Sequence, residues 1–136
     1  MKFDARRVVV FGLALWLGAC ATPGTVTPTS AETRRAAVLS RADARGAALV
    51  KGDLEAAYAF LSEGSKAVIT IDNFKRRMSI VPFTAYRIDD ATCDADSCKV
   101  NAKLTYDHRV IKGVTTPIQE TWVFERGQFY FVFPAI

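Results

Sequence analysis

The hydrophobic pattern of this 136-residue chain changes its period at Pro82, and this change constrains the fold more than any other feature. Before Pro82, apolar residues recur at steps of three and four, the spacing of helices that bury one face. After Pro82, apolar and polar residues alternate, as in strands with one buried face. Helices followed by a run of strands predict an α+β domain, with the helices packed on a curved, mainly antiparallel sheet of four to five strands.

Start and stop signals divide the helical part. We expect a first helix to end at Gly52, Asp53 to cap a second helix over 54–61, and a third helix to cover 73–79. Residues 66–71 fit either a helix or a strand, because their β-branched run follows a helix-cap signal.

Four segments after Pro82 are expected to form strands, namely 83–92, 98–107, 118–125 and 129–133. The second strand alternates most regularly, with Val100, Ala102, Leu104 and Tyr106 inward. The last segment is apolar on both faces. We therefore expect it to take a central position in the sheet, under the helices.

The start of the chain carries the features of an export signal. A positively charged segment precedes the apolar stretch 8–16, which is too short to span a bilayer, and Leu17-Gly18-Ala19-Cys20 follows. This pattern resembles a bacterial lipoprotein signal, which implies cleavage before Cys20, acylation of that cysteine and attachment to a membrane. An ordinary secretory signal is the competing interpretation, because the small residues at 18 and 19 suit that peptidase too.

The resemblance also sets the expected organisation and location. It implies a signal peptide over 1–19, an acylated cysteine with a flexible Thr/Pro-rich tether over 20–31, and a globular domain over 32–136. Ala21 replaces the aspartate that resembles an inner-membrane retention signal. We therefore expect the domain to be held at the outer membrane, facing the periplasm.

The other two cysteines are expected to pair. Cys93 and Cys98 flank a turn-forming run between two predicted strands. In the oxidising cell envelope such a pair forms a disulfide, and we expect its role to be structural.

The domain itself resembles the nuclear transport factor two-like family, which includes SnoaL-like and ketosteroid isomerase-like domains. The residues that carry the resemblance are the run 52–62, the later helix at Phe74, and the closing segments 120–122 and 127–130. It implies a cone-shaped sheet with an interior cavity. The candidates for lining that cavity are Tyr58, Tyr86, Tyr106 and Trp122.

No catalytic constellation is identifiable, and we expect neither an enzyme nor a cofactor. Asp72, Asp89 and Asp90 fall at helix starts or strand ends, so the family's catalytic carboxylate matches no position. Asp107 and His108 are neighbours on a strand and face opposite sides, so they cannot orient each other. A single histidine without clustered acids predicts no metal site.

Two function hypotheses follow. In the first, the chain is a non-catalytic envelope lipoprotein that binds another envelope protein, or a second copy, through the outward row Lys99, Asn101, Lys103 and Thr105. In the second, the interior binds a small molecule or acts as an isomerase- or dehydratase-like enzyme. An open interior with an inward carboxylate favours the second hypothesis, and an interior filled by aromatic side chains favours the first. No nucleic acid partner is expected, because no aromatic residue interleaves the short basic clusters.

Overall fold

The computed structural model describes residues 30–134, and four helices precede a four-stranded antiparallel sheet in this range. The elements are α1 (Ala31–Lys51), α2 (Leu54–Ala59), α3 (Glu63–Val68), α4 (Ile71–Met78), β1 (Phe83–Cys93), β2 (Ser97–Tyr106), β3 (Val114–Glu125) and β4 (Gln128–Val132). The strands follow the order β1-β2-β3-β4, so the sheet is an open meander. The predicted α+β class is confirmed. The predicted signal peptide, the acylated Cys20 and most of the tether lie outside the described residues.

Side-chain caps start all four helices of the described range. Ser30, Asp53, Ser62 and Thr70 each accept a hydrogen bond from the backbone N–H three residues later. α1 ends at Gly52, whose φ of 72° is the left-handed conformation that glycine adopts most readily. None of these helices is long and apolar enough to cross a membrane.

Two helix predictions needed adjustment. The ambiguous segment 66–71 contributes to α3 and to the start of α4, because Ser62 caps α3 and overrides the β-branched run. The helix expected over 73–79 begins earlier, since Thr70 rather than Asp72 is its cap.

The core lies between α1 and the inner face of the sheet. Val38, Ala42 and Leu49 of α1 are buried there, together with Val100 and Trp122 from the strands. Val100 is inward, as the alternation in the second strand predicts. The packing of α1 on the sheet therefore holds the two halves of the sequence together.

The expectation that the last strand is central is wrong, because β4 lies at the edge of the sheet. Its aromatic residues 129–131 are nevertheless buried. The segment between α2 and α3 covers the edge: Leu61 forms a bridge with Phe131, whose N–H donates to Phe60 O at 2.8 Å, and Ser62 N–H donates to Phe131 O at 2.8 Å. The backbone of this segment therefore covers the outer edge of β4, where a central position would have placed another strand.

β3 extends well beyond the end of β4. Their pairing runs only from Thr121↔Val132 to Glu125↔Gln128, so 114–120 pairs with β2 alone among the described strands. Pro117 lies in this stretch and has no backbone N–H, which a free sheet edge tolerates. The edge of β3 beyond the end of β4 therefore has no partner among the described strands.

A disulfide joins Cys93 and Cys98 across the β1–β2 hairpin. The two residues also form the last pair of the ladder, and Asp94 N–H donates to Ser97 O at 2.8 Å in the turn. The bond therefore closes a hairpin that hydrogen bonds already hold.

The double variant Cys93→Ala/Cys98→Ala should lose about 2 kcal/mol of unfolding free energy or less, because a disulfide that closes so short a loop removes little entropy from the unfolded chain. Urea denaturation measures this loss. Wild-type protein reduced with dithiothreitol is the control and should match the variant. A loss of about 4 kcal/mol or more would contradict this expectation.

Candidate functional site

Two opposite charges are buried between α1 and β3. Arg45 Nη1 lies 2.7 Å from Glu120 Oε1, and the side chains are only 4% and 3% exposed. Each interrupts an otherwise apolar face: Arg45 stands between Ala42 and Leu49 on α1, and Glu120 lies two residues before Trp122 on β3. The helical and strand periods therefore direct the two charges into the same interior space.

Both carboxylate oxygens of Glu120 are occupied. Oε1 accepts from Arg45, while Oε2 accepts from Tyr86 Oη at 3.1 Å and from Trp122 Nε1 at 2.9 Å. In this arrangement Glu120 holds three side-chain donors in place and neutralises Arg45. Its protonation would leave the Arg45 charge buried and unpaired.

Burial also acts on the partners of Glu120. It lowers the pKa of Arg45, and the adjacent Glu120 charge opposes that shift. Burial, together with the same carboxylate, raises the pKa of the Tyr86 hydroxyl above its usual range. Tyr86 is therefore a protonated hydrogen-bond donor at physiological pH.

Arg45 is further enclosed by an aromatic ring. Its Cζ lies 3.7 Å from the centroid of the Phe131 ring, a stacking geometry that suits the planar guanidinium. Its Nε is buried and has no hydrogen-bond partner among the described residues.

Gly46 allows Tyr86 to reach Glu120. A Cβ atom at position 46 would lie 2.0 Å from Tyr86 Cδ1, so the tyrosine ring packs directly on the backbone of α1. No larger residue fits at this position unless Tyr86 moves. The bond from Tyr86 to Glu120 therefore depends on a glycine in the middle of a helix.

A cleft of about 550 Å³ adjoins this network where β4 ends. Its volume falls within the range of about 300–1,000 Å³ that is usual for small-molecule sites. The apolar lining is Leu49, Met78, Leu104, Ile118, Phe131, Val132, Phe133 and Pro134, and the remaining lining residues are Arg45, Gln119, Glu120 and Thr121. The cleft thus combines apolar walls with a neutralised pair of charges.

The four predicted cavity residues do not line this cleft. Tyr86 and Trp122 do not line the cleft themselves. Each donates a hydrogen bond to Glu120, which does. Tyr58 packs against Phe74 in the core and donates to Ile69 O at 2.9 Å. Tyr106 is the last residue of β2, and its hydroxyl accepts a hydrogen bond from Thr116 Oγ1 at 3.5 Å.

Sequence reasoning considered the aspartates as inward acids and missed Glu120. Asp72 is exposed in the first turn of α4, and Asp89 pairs with Lys103 on the sheet at 2.9 Å. The sequence did contain a signal for this pair. Arg45 lies on the apolar face of the helical pattern in α1, and Glu120 lies on the apolar face of the alternating pattern in β3.

The remaining predicted positions do not line the cleft or contact the buried ion pair. Asp107 accepts a hydrogen bond from Gly113 N–H in the β2–β3 connection, and His108 is exposed beside it. The described part of the chain contains no cluster of His, Cys, Asp and Glu that could hold a metal ion. In the outward row, three cross-strand contacts are present: Lys103 with Asp89, Asn101 with Gln119, and Thr105 with Thr115.

Removing one charge of the buried pair should destabilise the domain far more than removing a surface charge. Glu120→Leu should cost about 3–5 kcal/mol, because Arg45 would stay buried and unpaired. The double variant Arg45→Met/Glu120→Leu should recover part of that loss, since it removes the unpaired charge but leaves Tyr86 Oη and Trp122 Nε1 without their acceptor.

Urea denaturation of the single and double variants measures the coupling. The matched control is Asp89→Leu with Lys103→Met, a partly exposed pair whose coupling should be about 1 kcal/mol or less. Equal coupling energies for the two pairs would contradict the expectation that burial couples Arg45 and Glu120 more strongly than a surface pair.

Comparison with known proteins identifies a similar fold and no family. No protein-family profile and no curated protein matches the sequence. A SEC-C motif containing protein from Rhodopseudomonas palustris has a similar solution structure, with a TM-score of 0.56 and 19% identity over 74% of this chain and 80% of that one. The crystal structure of a SEC-C motif containing protein from Psychrobacter arcticus gives a TM-score of 0.58 and 14% identity over 95% of this chain and 77% of that one.

At these identities the likeness concerns the fold alone. The expected membership of the nuclear transport factor two-like family is wrong, since the structural relatives belong to a different family. The motifs that suggested it have general structural roles here: Asp53 caps α2, and Trp122 fills the core. Many domains with helices on an antiparallel sheet require such residues.

Proposed function

We propose that this domain is a non-catalytic binding module that takes a small, largely apolar ligand into the cleft. The observation that carries the proposal is the open cleft of about 550 Å³, whose walls are mostly apolar. Natural ligand sites combine such walls with a few fixed polar groups. Arg45 and Glu120 supply such groups, and their positions are fixed by Tyr86, Trp122 and Phe131.

Binding is favoured over catalysis because Glu120, the carboxylate at the cleft, is the counter-charge of a buried guanidinium. Its two oxygens accept hydrogen bonds from three side chains. If Glu120 took up a proton as a general base, Arg45 would be left as an unpaired buried charge.

We also propose that the module is a lipoprotein, anchored through acylated Cys20 and held at the outer membrane facing the periplasm. The support is the sequence pattern Leu17-Gly18-Ala19-Cys20 after a basic and then apolar leader. Stable anchoring of this kind requires more than one acyl chain.

The outward row of β2 supports a second candidate function, the capture of another envelope protein or a second copy. Lys99 and Asn101 are exposed there. Three of the four residues in the row, however, already have cross-strand partners, which leaves few free groups for recognition. The cleft is therefore the preferred binding surface.

Binding in the cleft can be tested with N-phenyl-1-naphthylamine, an uncharged apolar fluorophore. The purified protein should bind one molecule with increased fluorescence. Leu104→Trp, which fills the cleft, should weaken binding about tenfold or more, equivalent to about 1.4 kcal/mol. Val110→Trp is the matched control, because Val110 is 86% exposed and lies away from the cleft. Equal binding by both variants, or no binding by the wild type, would reject the proposal.

The anchor can be tested by expressing Cys20→Ala in a bacterial host with two membranes. The variant should accumulate as unprocessed precursor or as soluble protein, whereas the wild type should fractionate with membranes in a detergent-extractable form. A Cys20→Ala protein that is still processed and membrane-bound would contradict the lipoprotein proposal.

A further inference from the structure

A second cavity, of about 420 Å³, lies next to the cleft. Phe133 and Pro134 line both cavities and so form a shared wall. On the far side of this wall the lining includes Arg76 and Arg77, from the last turn of α4. A molecule seated in the apolar cleft therefore has two guanidinium groups close to it, across one aromatic ring.

The contacts of these two arginines are with an aromatic ring and an amide. Arg77 Cζ lies 5.1 Å from the centroid of the Phe133 ring, and Arg76 donates to the amide oxygen of Asn73. Among the described residues, no carboxylate lies within ion-pair distance of either arginine. Lys75, in the same turn, pairs with Glu55.

The helix dipole stabilises positive side chains at the carboxyl end of a helix, which accounts for positive charge in this turn of α4. The dipole does not account for the position of both arginines at a cavity beside Phe133. An unpaired pair of arginines at such a place is suited to a carboxylate or a phosphate.

The cleft itself is unsuited to an anion. Arg45 is already paired with Glu120, whose negative charge would repel a second one. A charged ligand would therefore place its uncharged part in the cleft and its charge outside, beside Phe133. Arg76 and Arg77 are the cations that line the cavity on that side of Phe133.

We infer that the ligand is a single-chain anionic amphiphile, with its hydrocarbon chain in the cleft and its carboxylate or phosphate head bound by Arg76 and Arg77. The inference rests on the proposed function, because it assigns a ligand class to the same cleft. The head and the chain are recognised at two cavities that share a wall.

Displacement of N-phenyl-1-naphthylamine from the full-length protein tests this inference. The competitors are dodecanoate, monododecyl phosphate and uncharged dodecanol, the two anions below the concentrations at which they form micelles and dodecanol below its solubility limit. At least one anion should bind about tenfold more tightly than dodecanol, which has the same chain. The stronger of the two anions then identifies the head group as a carboxylate or a phosphate.

The double variant Arg76→Gln/Arg77→Gln should remove that advantage and leave the affinities for the fluorophore and dodecanol unchanged. Arg87→Gln/Lys99→Gln removes the same charge from β1 and β2 and is the matched control. Two results would overturn the inference: equal competition by the anions and dodecanol, or an anion advantage that survives Arg76→Gln/Arg77→Gln. In either case, binding of the fluorophore to the wild type would still support the proposed function. A wild type that does not bind the fluorophore would reject both.

Discussion

The buried ion pair between Arg45 and Glu120 is the interaction on which the rest of the structure depends. Removing two charges from water is costly, and their attraction offsets this cost only when the geometry is good and further hydrogen bonds support the pair. Arg45 Nε has no such bond among the described residues, so the support comes mainly from the side of Glu120. Tyr86 and Trp122 donate to Glu120, and Phe131 stacks on the guanidinium. Sliding α1 along the sheet by one residue would break both contacts of Arg45, the ion pair with Glu120 and the stacking on Phe131. We infer that the pair fixes the register of α1 on the sheet.

This constraint explains several features around the pair. Gly46 is needed because the ring of Tyr86 lies against the backbone of α1. β4 supplies Phe131 as the cover of Arg45 and ends shortly afterwards, which leaves the stretch 114–120 without a partner from that strand. The cleft occupies the space that a longer β4 would fill. Its polar residues are therefore part of the same network that positions the helix.

Much of the fold could be predicted from the sequence because local signals agreed with it. The change of period at Pro82 separates helices from strands, and Gly52 and Asp53 mark a helix boundary that the structure retains. The edge position of β4 could not be predicted in this way. A strand that is apolar on both faces is typical of a central position, but a loop between two helices can bury an edge strand equally well.

The site was harder to predict than the fold. Arg45 fits the helical period, but a lone charge on a helix is usually solvated, and only its partner 75 residues away explains its burial. Glu120 likewise predicts a buried ion pair only when the structure shows that this part of β3 faces α1. The cleft depends on the relative lengths of β3 and β4, which is a property of tertiary pairing that no local pattern contains.

Hydrogen exchange of the Trp122 indole N–H, followed by NMR, tests the closed network most directly. The sequence has two tryptophans, and Trp16 lies before the proposed cleavage site, so the processed protein should give the indole signal of Trp122 alone. If the N–H is held by Glu120 in the folded state, it should exchange only through opening of the core, with a protection close to the global unfolding free energy. Exchange at the rate of a free indole would show that the network is open, and would contradict the account of both the fold and the cleft.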